Sequence, residues 1–152
     1  TVEGDYFDFS YDHSKLQETG EIVLEAIFKL DTAKDPKLLW QKSMDNVKRR
    51  NAEQPIGVAC SGCTLRDSSQ DDALRLNTPN HPTSSGYIID SLGLKGMQVG
   101  GAQVSPHHAN FIINNQNATS ADVIELISLI KQKAKEKYDL DLKEEIFYIG
   151  DF

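Results

Sequence analysis

Two cysteines three positions apart, Cys60 and Cys63 with Ser61-Gly62 between them, carry the most chemistry of any spacing in this chain. As half of a zinc site the pair needs two more ligands. His81, His107 and His108 are the candidates, but their spacing matches no familiar finger, so no metal site is predicted. As a dithiol redox site the pair should open a helix inside a βαβ unit, and Thr64-Leu65-Arg66-Asp67-Ser68-Ser69 is no helix start. The plain reading is two thiols in a glycine-containing turn, one of them available for use. The glycines of Gly93-Leu94-Lys95-Gly96 and Gly100-Gly101 fit neither GxGxxG nor GxxxxGK[ST] and read as turn and strand glycines. His107-His108 follows Pro106 at a strand start, where a histidine is by default hydrogen-bonded structure. Glu144-Glu145, before an apolar run, is by default a solvated charge pair.

These residues must be positioned by a modest set of elements. Residues 1–20 are polar and aromatic without a helical period and read as loop or short strand. Ile22, Leu24, Ala26, Phe28 and Leu30 alternate with Val23, Glu25, Ile27 and Lys29, which predicts a strand over 22–30. Asp35-Pro36 supplies an N-cap and a first-turn proline for a helix at 36–51, with Trp40, Met44 and Val47 on one face and Lys48, Arg49 and Arg50 at its end. Ile56 to Leu65 reads as extended, 66–85 as a long polar loop, and 85–92 as a short helix stopping at Gly93. Extended segments follow at 97–105 and 109–114, with Gly100-Gly101 as a bulge or close backbone approach. Thr119 and Asp122 resemble a capping box for a helix over 120–138 with the stripe Val123, Ile127, Ile130 and Ala134. Asn117-Ala118-Thr119 matches a glycosylation acceptor only formally. Ile146 to Ile149 reads as a last strand. The irregular alternation predicts an α+β two-layer sandwich of a small mixed or antiparallel sheet with helices. Residues 1–32 are expected to stand apart from the domain at 33–152, since the strand at 22–30 needs partners that the sequence does not offer.

The chain has 152 residues, 26% of them charged and 39% hydrophobic, with a net charge of −7. Such an excess of acidic groups speaks against binding to nucleic acid, which needs clustered cations. No apolar run approaches the ~20 residues of a membrane span, and no membrane association is expected. Two cysteines cannot staple a small secreted domain, so a cytoplasmic location is expected. The first residue is Thr1, consistent with a piece of a longer protein.

The order and spacing of several segments carry a resemblance. Gly93-Leu94-Lys95-Gly96, Gly100-Gly101-Ala102-Gln103-Val104-Ser105, His108-Ala109-Asn110-Phe111-Ile112-Ile113-Asn114 and Asn117-Ala118-Thr119 with Asp122-Val123 closely resemble the C-terminal domain of UDP-N-acetylenolpyruvoylglucosamine reductases. The match continues through Lys135-Glu136-Lys137-Tyr138 to Leu142, Glu145 and Ile149-Gly150. Arg50 with Gln54-Pro55 is similar to the family's R-x-x-x-Q-P segment. Phe9-Ser10-Tyr11-Asp12-His13-Ser14 is similar to its F-G-Y-R-x-S segment, which ends the flavin domain.

The resemblance implies cytosolic flavoenzymes of peptidoglycan precursor synthesis, in which NADPH reduces FAD and the enolpyruvyl UDP-sugar receives hydride at C3 and a proton at C2. It places the proton donor on Cys63 and the family's C-terminal catalytic glutamate on Glu145. It implies substrate contacts at Arg50, Gln54, Lys95, His108 and Asn110, with Arg50 and Lys95 as the diphosphate candidates, and cofactor contacts at Tyr11 and Ser14. FAD would be bound mainly by a flavin domain N-terminal to these residues, which makes residues 1–32 the tail of that domain. Two departures stand out: Asp12 replaces an arginine that stabilises the enolate, and Thr64-Leu65-Arg66-Asp67 lacks the family's F-x-N-P. Arg66 and Arg75 are the cations that could supply the missing charge. The same departures fit a diverged homologue that binds a UDP-sugar or a protein without reducing anything.

Overall fold

The structure is a computed structural model that describes residues 1–11, 13–32, 35–76 and 82–150. It divides into two compact units, Thr1–Leu39 and Trp40–Phe152.

The first unit holds a 3-10 turn over Gly4–Phe7 and a one-turn helix α1, Leu16–Thr19, where the sequence predicts loop or short strand. Tyr6, Phe7 and Phe9 pack edge-on and stacked at ring separations of 5.6 and 5.3 Å, and Lys15 lies over the Tyr6 ring. The Tyr6 hydroxyl donates to the Glu21 carboxylate at 2.7 Å, which raises the phenol and lowers the carboxyl from their ordinary values. The expected strand at 22–30 is not formed: these residues have no regular structure, and Ile22, Leu24, Ile27, Phe28 and Leu30 are all more than three-quarters exposed. Alternation provides a face to bury, but a strand also needs a neighbouring backbone, and no ladder partner stands beside it among the described residues.

Helix α2, Pro36–Glu53, forms as its sequence predicts, with the Asp35 carboxylate accepting from the Lys37 and Leu38 backbone N–H groups at 3.0 and 3.1 Å. Its stripe of Trp40, Met44 and Val47 is exposed.

The second unit is built on a four-stranded antiparallel sheet in the order β1-β4-β3-β2, with β1 at Cys60–Cys63, β2 at Gln98–Val99, β3 at Ala102–Val104 and β4 at Phe111–Asn114. The fold is α+β, with α5 (Ser120–Tyr138) packed on β2 and β3 and α4 (Ser85–Ser91) packed on α5. Leu126, Ile127 and Ile130 from α5 are essentially fully buried against Ile88, Ile89, Val104 and Leu65. Burial of each such side chain stabilises the fold by about 1.5–3 kcal/mol.

Gly100-Gly101 is neither bulge nor strand but the two-residue loop of the β2–β3 hairpin, since Val99 pairs with Ala102 across it. The expected close approach is also present. A Cβ on Gly101 would meet the Gln116 carbonyl and the Ala118 backbone. The Asp122 carboxylate accepts from the Gly101 N–H at 3.1 Å and the Thr119 N–H at 2.9 Å, and Thr119 Oγ1 accepts from the Asp122 N–H at 3.1 Å. The capping box therefore starts the helix and pins the hairpin to it.

Two further differences concern the polar loop and the C-terminal run. Within 66–85 there is a helix, α3 at Gln70–Arg75, capped by Ser69, whose hydroxyl accepts from the Asp72 N–H. Asn77–His81 lie outside the described residues. The run Ile146–Ile149 is not a strand; pairing is confined to a single bridge between Leu65 and Glu144 just before it, and Phe147 and Ile149 are exposed.

Candidate functional site

Cys63 ends β1, and its position is set by a bulge. Cys60 pairs with Ile113 but Cys63 pairs with Phe111, so three steps on β1 answer two on β4. Gly62 absorbs the extra residue at φ +88, a left-handed conformation that costs a residue with a Cβ about 1–2 kcal/mol. A bulge bends its strand and re-aims the neighbouring side chain. Here it turns the chain so that Cys63 is part-exposed and the next two residues, Thr64 and Leu65, plunge into the core.

Immediately past Cys63 the chain acquires a second neighbour. The Glu145 N–H donates to the Thr64 carbonyl at 2.9 Å, the Arg66 N–H donates to the Lys143 carbonyl at 2.8 Å, and Arg66 Nε donates to the Glu144 carbonyl at 3.0 Å. These bonds bring the C-terminal segment alongside Cys63. The result is one open cleft of about 480 Å³ lined by Ser61, Cys63, Glu145, Ile146 and Phe147. Burial raises the Cys63 thiol above the usual cysteine value, and the negative charges of Glu145 and Asp67 raise it further. The thiol therefore holds its proton at neutral pH. Next door, burial pushes the Glu144 carboxyl up, but the Lys131 ammonium at 2.9 Å outweighs this and holds it low. Glu144 is thus committed to Lys131, while Glu145 faces the thiol.

The other expected contacts do not line this cleft. Arg50 Nε and Nη2 donate to Gln54 Oε1 at 3.4 and 3.2 Å, so those two side chains meet each other at the end of α2. Lys95 pairs with Asp90 at 2.9 Å. The His108 ring packs edge-on against Phe111, the residue opposite Cys63, at 4.9 Å, and its Nδ1 accepts from the Asn110 N–H. Asn110 is 4% exposed and its carboxamide is spent on Leu65, accepting from that residue's N–H at 2.9 Å and donating to its C=O at 2.7 Å. The polar atoms of the Asn110 side chain are thus engaged inside the core.

In the first unit, Tyr11 is exposed and Ser14 Oγ accepts from the Leu16 N–H at 3.3 Å. Arg75 is tied to Asp72 on α3, and Asp12 lies outside the described residues. Among the described residues no group of three or more His, Cys, Asp or Glu side chains could hold a metal ion, and no helix is long and apolar enough to cross a membrane.

Sequence spacing gave no warning of Asp67 or of Thr64. The first raises the Cys63 thiol, and the second buries a hydroxyl that finds no hydrogen-bond partner among the described residues. Both matter because of the bridge that joins 64–66 to 143–145, a pairing that no local pattern announces.

Residues 54–149 match the family model described as the C-terminal domain of UDP-N-acetylenolpyruvoylglucosamine reductase. This chain belongs to that family. It is 37% identical over 143 residues to the UDP-N-acetylenolpyruvoylglucosamine reductase of Prochlorococcus marinus strain MIT 9313, covering 94% of this chain and 43% of that protein. It is 38% identical over 144 residues to the enzyme of that name from Bacillus licheniformis, covering 94% of this chain and 71% of that protein. The crystal structure of the Thermus caldophilus reductase aligns with a TM-score of 0.55 at 31% identity, over 77% of this chain and 37% of that one. The chain thus spans less than half the length of most of the relatives it matches.

Proposed function

We propose that this chain is the substrate-binding part of an FAD-dependent reductase that converts UDP-N-acetylenolpyruvoylglucosamine to UDP-N-acetylmuramate with NADPH, in cytoplasmic peptidoglycan precursor synthesis. The single observation that carries the reading is that Cys63 and Glu145, the two residues that the family pattern marks as catalytic, line one cleft.

Few residues here fit the flavin itself. Tyr11 and Ser14 offer an exposed ring and a hydroxyl, and neither lines either of the two described cavities. They would touch an edge of the cofactor, with most of its binding supplied by a flavin domain outside these residues. A flavin held there would, once reduced by NADPH, be the source of hydride chemistry at C3 of the enolpyruvyl group. Cys63 Sγ supplies the proton for C2, and its raised pKa keeps that proton in place until the substrate carbon becomes basic. A thiol still yields its proton far more readily than a hydroxyl. Glu145, on the same cleft, opposes premature loss of that proton by its charge. Arg50 retains guanidinium donors beyond the two used on Gln54 and is the first diphosphate candidate. Lys95 is the second, since an exposed pair such as Lys95–Asp90 is worth at most about 1 kcal/mol and exchanges readily for phosphate. Gln54 and His108 complete the proposed substrate contacts.

The test is made on the complete protein with its flavin domain. It should be yellow and should oxidise NADPH when given the enolpyruvyl UDP-sugar. Cys63→Ala should lose most turnover while NADPH still reduces the flavin. Unaltered turnover removes Cys63 as donor, and a colourless protein overturns the reductase reading.

A further inference from the structure

β4 begins at Phe111, so no strand backbone stands opposite Leu65 on that side. The chain turns instead through Pro106 to Asn110, held by the Phe111 N–H on the His108 carbonyl at 3.0 Å and by Ser105 Oγ accepting from the His107 and His108 N–H groups. This turn leaves Asn110 beside the Thr64–Leu65 backbone. Its carbonyl accepts from the Thr64 N–H at 2.8 Å, and its carboxamide both accepts from and donates to Leu65. A carboxamide carries the same donor and acceptor as a peptide group. Asn110 therefore extends the ladder by one residue where the backbone has already turned away. On the far side of the same short segment, Glu145 donates to Thr64 and Arg66 donates to Lys143.

We propose that Asn110 is a positioning residue: its side chain fixes the segment after Cys63 from one side so that the segment carrying Glu145 can pair on the other, and the shared cleft depends on that clamp. Resting on the reductase reading only for what the thiol does, the proposal predicts a change at Cys63, not merely in stability. Asn110 is not one of the residues that line the cleft. It acts through Leu65, which is wholly buried and cannot exchange the clamp for water.

The experiment uses the full chain with Cys60→Ala, so that Cys63 is the remaining thiol, and follows its iodoacetamide alkylation against pH. Asn110→Leu keeps the volume and removes both hydrogen bonds; Asn110→Ala is the second variant. The expected result is an apparent thiol pKa that falls towards that of an ordinary cysteine, with several-fold faster alkylation near pH 8. An Asn110 that only stabilises the fold would lower the melting temperature and leave the titration of the folded chain unchanged, which overturns the proposal. Should neither variant fold, hydrogen exchange of the Leu65 amide in the unaltered chain decides: slow exchange supports the clamp and exchange at the rate of an exposed amide overturns it. None of these readouts uses flavin or substrate. A failed thiol titration thus leaves the reductase reading intact, and a complete protein that never oxidises NADPH leaves the clamp intact.

Discussion

Glu145 donates its backbone N–H to the carbonyl of Thr64, the residue that follows Cys63, at 2.9 Å. That bond joins two ends of the second unit and makes a thiol and a carboxyl neighbours. Its electrostatic trace is the raised Cys63 thiol, to which Glu145 contributes after burial. Replacing Glu145 by Gln removes the charge and keeps the backbone bond. Burial and Asp67 remain, so the thiol should fall only part of the way back and alkylation at neutral pH should quicken several-fold. A thiol that titrates identically in both chains would show that the two groups do not sense each other.

The bulge at Gly62 offers a separate handle on the same cleft. No neighbouring atom crowds the position where a Cβ would stand, so Gly62→Ala pays only for the left-handed backbone, about 1–2 kcal/mol. The chain can escape that cost by flattening the bulge, which would shift the register that sets Cys63 opposite Phe111. The expected outcome is a modest loss of stability by denaturant titration with a disproportionate loss of turnover in the complete protein. Equal turnover would mean that the bulge has no part in aiming the thiol.

Local patterns in the sequence were enough for α5, because Thr119, Asp122 and the stripe ending at Ala134 are all set within one helix and the capping box formed as read. The same holds for α2, whose cap on Asp35 is a local bond. Failures occurred where the deciding interaction is distant. The alternation of 22–30 and the apolar run 146–149 describe a face, but pairing is a property of two segments, and neither has a ladder among the described residues. Helix α3 was legible in principle, with Ser69 before Asp71 and Asp72 and Arg75 in the last turn, yet it sits in a stretch whose composition reads as loop. The cleft was the hardest case. Family resemblance named Cys63 and Glu145, while composition offered only a thiol in a turn and a solvated acid. Asn110 carries a recognisable motif, but nothing local announces that its carboxamide bonds the Leu65 backbone.

Asp122 links acid stability to the hairpin. Backbone N–H groups of Thr119 and then Gly101 hold its carboxyl below the usual value. A lowered folded-state pKa contributes stability that is present above the unfolded-state value of about 3.9 and disappears as pH falls through the folded value. Asp122 should therefore contribute a loss of melting temperature below about pH 4, and Asp122→Asn should melt lower at neutral pH with a flatter acid limb. Parallel acid limbs in the two chains would mean that the capping carboxylate carries none of the pH dependence.

At the alkaline end the sign reverses, and Cys63 is the group to watch. Its folded-state pKa is raised, chiefly by burial, so the folded chain keeps a proton that the unfolded chain releases above about pH 8.5. Stability from this group is complete below that value and is lost as pH rises through the folded pKa. Urea titrations at pH 7 and at two higher pH values should show the midpoint falling in the parent chain. Cys63→Ser, which does not ionise in this range, should hold its midpoint better over the same interval. A serine variant that loses stability just as fast would assign the alkaline limb to other groups and would remove the basis for a thiol kept protonated by its surroundings.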